Sequence, residues 1–197
     1  MQMRNPQSHA ARPSQVGAMA AAYRRGFTIV ELLAAMSIVG VASVATTAVA
    51  VSAVATLRDA SVSWSLHQDA AAALDRMSLD LRGLAQNSST QGPDVTSISG
   101  NAIITATGLT YRFIDASASA PGRIEVIESS SSGPVTLVAS ATSMSIVVQD
   151  GVGAVLTLPM TSAAAASSVR RIVITLSVAR AGVTETLRTT VAIRSCL

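Results

Sequence analysis

The chain has 197 residues, enough for one domain and an apolar segment, and its formal charge of +3 arises from 14 arginines against 11 acids, with no lysine. Four of those arginines (Arg4, Arg12, Arg24 and Arg25) fall within the first 26 residues, so the remainder holds ten arginines against eleven acids, a balance of −1. No basic stripe follows downstream, which argues against direct nucleic-acid binding; the single cysteine, Cys196, excludes an intramolecular disulfide and reads as a free thiol.

Residues 1–23 are polar, alanine-rich and without periodicity, interrupted by Pro6 and Pro13, and read as a disordered leader. Between Arg25 and Arg58 the only charge is Glu31. A helix needs about 20 apolar residues to cross roughly 30 Å of hydrocarbon, so this stretch is long enough to span. A carboxylate inside such a helix costs about 2.5–3.5 kcal/mol at its centre and is normally displaced to the interface, paired or functional. Four arginines precede the stretch, whereas Arg58 beyond it is offset by Asp59. The positive-inside rule therefore places the N-terminus in the cytoplasm and the C-terminal part outside the membrane. Within the span, Ile, Leu and Met give way at Gly40 to Ala, Val, Thr and Ser, small residues that let helices approach closely.

From Val62 to Leu84 the residues Val62, Leu66, Ala70, Leu74, Met77, Leu81 and Leu84 recur by threes and fours, one apolar face of a helix. No proline lies between Phe27 and Gly92, so one helix is predicted from the membrane segment to Leu84, stopped by Asn87–Pro93. After Asp94 short Val-, Ile- and Thr-rich segments alternate with Gly, Pro and Ser. Strands are predicted at 102–105, 109–114, 123–127, 135–139, 143–148, 154–158, 171–179 and 185–193, and flexible loops at 129–133 and 161–168. The last two strands, joined through Arg180-Ala181-Gly182-Val183, read as an antiparallel hairpin. The expected fold is α+β: a long N-terminal helix, transmembrane and then amphipathic, packed on a C-terminal antiparallel sheet that its apolar stripe covers. The divisions are 1–26, 27–57, 58–91 and a β-rich external domain at 92–197.

Catalytic and metal-binding patterns are missing from the sequence. His67 stands on the predicted helix with no His or Cys companion at ligand spacing, and with this one histidine outside the leader and no Gly-x-Ser-x-Gly the sequence does not point to a Ser-His-Asp arrangement. Asp150-Gly151-Val152-Gly153 leads into β-like residues and reads as a turn, not a phosphate loop. Asp69, Asp75 and Asp80 are spread around a helix and read as a solvated face. No enzyme activity, cofactor or metal is implied.

The stretch Arg24-Arg25-Gly26-Phe27-Thr28-Ile29-Val30-Glu31-Leu32-Leu33 resembles the class III signal of type IV pilins and type II secretion pseudopilins. The resemblance implies that a prepilin peptidase cuts after Gly26, removes residues 1–26 and N-methylates Phe27. It implies that Glu31 neutralises the terminal amine of a neighbouring subunit during assembly. Gly40 matches a common glycine of that family, while Ala48 stands where many members carry a helix-melting proline. The implied partners are other pilin or pseudopilin subunits through the N-terminal helix, the peptidase and an inner-membrane assembly platform. The implied place is the bacterial inner membrane and then a filament. Segments Asp69–Arg82, Leu109–Phe113 and Val169–Leu176 are similar to minor pseudopilins of the J class and W-type minor pilins, which implies a tip or initiation complex. A major filament subunit and a single-pass anchored binding module remain open alternatives.

Overall fold

The computed structural model describes residues 27–130 and 133–193. The chain divides into two compact units, Met1–Ser52 and Ala53–Leu197. One helix, α1 (Ile29–Arg82), runs for 54 residues without interruption. Its alanine, leucine and methionine content favours the helix, and with alanine rather than proline at position 48 no backbone donor is lost there. It ends two residues before the predicted Leu84, where Gly83 follows Arg82; glycine is about 1 kcal/mol worse than alanine in a helix, and a cation in the last turn suits the dipole.

Nine strands follow among the described residues: β1 (Val95–Ile98), β2 (Ala102–Thr105), β3 (Thr110–Ile114), β4 (Arg123–Ile127), β5 (Val135–Val138), β6 (Ala141–Gln149), β7 (Val155–Leu156), β8 (Arg171–Arg180) and β9 (Val183–Ala192). They form a five-stranded sheet in the order β1-β2-β3-β4-β5 and a four-stranded sheet in the order β7-β6-β8-β9. All neighbouring pairs are antiparallel. Eight of these strands stand where the sequence places them. The ninth, β1, was not predicted: it has only four residues, two of them Thr96 and Ser97, and a register shift between Val95 and Ser97, so it offers almost no alternation to detect. The predicted loop at 161–168 is also partly regular, with a 3-10 turn at Ala165–Ser168 that buries Ala166.

The helical stripe and the two sheets share one core. Leu66, Ala70, Leu74, Met77 and Leu81 are almost entirely buried, and Ala73 joins them. They lie in one apolar cluster with Ile103, Tyr111, Ile124 and Val126 of the first sheet and Ile146, Ile172, Ile174, Leu176 and Val178 of the second. The alternation in β8 is as the sequence implies, with Ile172, Ile174, Leu176 and Val178 inward; Val173 on the other face is also buried. The β8–β9 hairpin closes through Ala181 (φ 53°) and Gly182 (φ 84°), both left-handed, as a two-residue turn between right-twisted strands requires.

Polar groups brace this core at two places. Tyr111 is wholly buried and its hydroxyl donates to Asp80 of α1, while Arg76, one turn earlier, donates to Glu128 and lies 3.9 Å from Asp80. Burial first, then Asp80, pushes the Tyr111 hydroxyl pKa upward. On β4, Glu125 is only 3% exposed. It accepts from Arg112 Nε and Nη2 at 3.0 and 2.8 Å and from Arg123 Nε at 2.6 Å. Hydrogen bonds from Arg123 and then Arg112 hold its pKa below 4.5 despite burial. A carboxylate depressed in the folded state adds stability above its unfolded pKa and loses it as pH falls through the folded value. Glu125 should therefore stabilise the fold above pH 4.5 and cease to do so in stronger acid. Thermal melts from pH 7 downwards should show Glu125→Gln with a lower melting temperature at pH 7 and a shallower acid decline; an unchanged decline removes this role.

Candidate processing and assembly site

The head of α1 is built by local chemistry. Thr28 is the residue before the helix, and its Oγ1 accepts from the Glu31 N–H at 3.2 Å, while a Glu31 carboxylate oxygen accepts from the Thr28 N–H at 3.5 Å. This is a reciprocal capping box, which satisfies two of the donors that every helix start leaves orphaned. The sequence carries the signal in plain form, a threonine followed three residues later by a glutamate. Glu31 thus sits in the first turn, where the helix dipole favours an anion by about 0.3–1 kcal/mol. A carboxylate has about four acceptor positions, and the long bond to Thr28 uses one of them.

Among the described residues nothing covers the apolar side chains at this end of the helix. Phe27, Ile29, Val30, Met36, Ile38, Val39, Val41, Val44, Val49 and Val51 are each more than 60% exposed. The best 18-residue window in α1 has a mean hydropathy of 2.1 and none of it is buried. Soluble monomers do not present so much contiguous apolar surface; lipid or another protein must meet it. The hydroxyls agree with that setting. Ser37 donates to Leu33 O at 2.8 Å, Ser43 to Val39 O at 2.7 Å, Thr46 to Ala42 O at 3.0 Å and Thr47 to Ser43 O at 2.8 Å. Each polar side chain is satisfied by its own helix, as hydrocarbon surroundings demand. At Gly40 an added Cβ would meet nothing within 4 Å, so the fold of the single chain does not require glycine there.

The other candidate residues do not converge. Gly26, His9 and Cys196 lie outside the described residues. Asp69 pairs with Arg180 at 3.7 Å, Asp80 serves Tyr111, and Asp75 and His67 are exposed on α1. Among the described residues no three His, Cys, Asp or Glu side chains gather where they could hold a metal ion. Asp150 Oδ1 accepts from the Val152 and Ala154 N–H groups at 3.0 and 2.8 Å, and Gly153 takes φ +92°, which makes this segment a tight turn.

Residues 21–47 match the family model of the prokaryotic N-terminal methylation motif. Comparison with curated proteins and with solved structures finds no match. The matched residues include Phe27 and the start of α1 with Glu31 and Gly40, and an apolar N-terminal helix with this motif fits a single-pass membrane anchor.

Proposed function

We propose that this chain is a minor pilin or pseudopilin, a structural subunit of a type IV pilus or a type II secretion pseudopilus. The observation that carries the reading is the methylation motif seated on the uncovered, capped head of a helix whose second half is built into a β domain. In this reading the peptidase cuts after Gly26, methylates the Phe27 amine and leaves the anchor on the β domain. The N-terminus faces the cytoplasm and residues 58–197 lie outside the inner membrane. An α-amine with a reference pKa of about 7.7–8.0 is largely cationic at neutral pH, and Glu31 of an adjacent subunit would neutralise it. The apolar face of residues 27–57 would pack on the same segment of other subunits, with Gly40 at a close approach. Head-to-tail packing of this kind builds an open helical filament. The resemblance of Asp69–Arg82, Leu109–Phe113 and Val169–Leu176 to J-class and W-type subunits supports a place at the tip or in the initiation complex.

Mass spectrometry of the protein from cells with an active prepilin peptidase should find N-methyl-Phe27 as the first residue, and Gly26→Glu should leave the chain uncut. An intact Met1 in those cells would identify an anchored module of another kind. Glu31→Ala should still be cleaved but should lose crosslinks to partner subunits at least about tenfold, the loss that 1.4 kcal/mol of pairing gives. Crosslinking at the wild-type level would take the assembly role from Glu31.

A further inference from the structure

The two sheets end in four strands, β1, β5, β7 and β9, and these edges are not equal. β7 has two residues, while β1 and β5 have four each and carry register shifts, features that blunt an edge against further pairing. β9 has ten residues and pairs with β8 over ten consecutive positions without a shift. It contains no proline and no lysine; its charges are Arg188 on the outer face and Glu185 on the inner face, the latter an inward charge engaged by the Ser63 hydroxyl of α1. The pair that closes the tight turn, Arg180 and Val183, is hydrogen-bonded, so alternate residues from Val183 onward spend their main-chain groups on β8. Thr184, Thr186, Arg188 and Thr190 therefore turn their N–H and C=O groups away from the sheet, along about 20 Å of strand. Among the described residues no backbone hydrogen bond reaches them from outside the sheet.

Side chains define what would fit. Val183 and Leu187, on the inner face, are only partly buried at the rim of the core, and a further strand would complete their cover. Arg188, on the outer face, is exposed and has no hydrogen bond or ion pair among the described residues. A second copy of β9 would not supply what Arg188 lacks, because the residues it would present on that face are Thr184, Thr186, Arg188 and Thr190, with no acid among them.

We propose that the free edge of β9 accepts, as an added antiparallel strand, an extended segment of another protein that places a carboxylate opposite Arg188 and apolar residues on either side of it. Main-chain bonds would give the affinity and the Arg188 pair the selectivity, the general division of roles in strand addition. The site does not depend on how the N-terminus is processed.

The test uses the full chain in detergent micelles and two blocked octapeptides of alternating threonine and valine, one with a glutamate set to face Arg188 and one with a lysine there. The glutamate peptide should slow amide exchange at Thr184, Thr186, Arg188 and Thr190, with the lysine peptide at least about tenfold weaker. Thr186→Pro, which removes an outward N–H and the exposed hydroxyl contact with Ser177 but no main-chain ladder bond, should abolish binding while the melting temperature falls no further than in Thr186→Val, which keeps the N–H and binds. Arg188→Glu should reverse the preference between the peptides. The proposal is overturned if neither peptide binds, if protection falls on another edge, if Thr186→Pro binds as wild type, or if these amides are protected without peptide through self-association.

Discussion

Gly122→Ala should lower the melting temperature of the β domain by about 6–12 °C, as about 3 kcal/mol would in a domain of roughly 150 residues. Gly122 sits just before β4, and a Cβ there would lie 2.3 Å from Ala141 O, with Ala116 N and Ile114 O both at 3.3 Å. All three are main-chain atoms, so no flexible side chain can move aside. Ala141 opens β6 and pairs with Val178, so the displaced backbone belongs to the second sheet and the glycine to the first. The clash would wedge the two sheets apart where their strands begin. Gly133→Ala is the matching control, because a Cβ there meets nothing within 4 Å and should leave the melt unchanged. A melting temperature for Gly122→Ala within a degree of wild type would show that the close approach yields.

The second large effect belongs to α1. Met77 is fully buried in the stripe between Leu74 and Leu81, and Met77→Ala should cost about 2–5 kcal/mol through lost transfer free energy and the cavity left behind. Two positions further on, Leu79 is 71% exposed, and Leu79→Ala should change stability by less than about 0.5 kcal/mol. Chemical denaturation of the two variants in the same detergent measures the contrast. Equal losses would mean that α1 does not meet the sheets along the face described. The stability of the domain is of the order of 5–15 kcal/mol, so the Met77 change removes a large part of it.

Much of this was legible in the sequence because two periods were clean. The three–four spacing from Val62 to Leu84 identifies the buried helix face, and the alternation at Ile172–Val178 identifies the inward face of β8. In both cases burial on one side only leaves a strong pattern. β1 escaped because four residues with a bulge carry no period. The division of the strands into two sheets escaped because pairing β6 with β8 is a tertiary choice that no local pattern encodes. The Tyr111–Asp80 and Arg112–Glu125 contacts join residues far apart in sequence or across a strand pair, so composition could not show them; only Arg123–Glu125, two residues apart on β4, is local. At the N-terminus the methylation motif was legible residue by residue, since processing signals are read as extended sequence, not as a folded surface. The capping box was equally legible in Thr28 and Glu31, but a charge within an apolar run drew the reading to its cost instead of its local bonds.

The order of the strands also bears on time. In the five-stranded sheet every strand pairs with its neighbour in sequence, so β1 to β5 can close hairpin by hairpin as the chain emerges. The four-stranded sheet must wait, because β6 pairs with β8 across the whole of β7 and the 3-10 turn, from Gln149 to Arg171. The second sheet's part of the cover for Leu66, Leu74, Met77 and Leu81 thus arrives last, about a hundred residues behind the helix it must meet. Until then the domain holds an open apolar stripe, and an emerging chain is exposed to misassociation for as long as β8 and β9 are delayed.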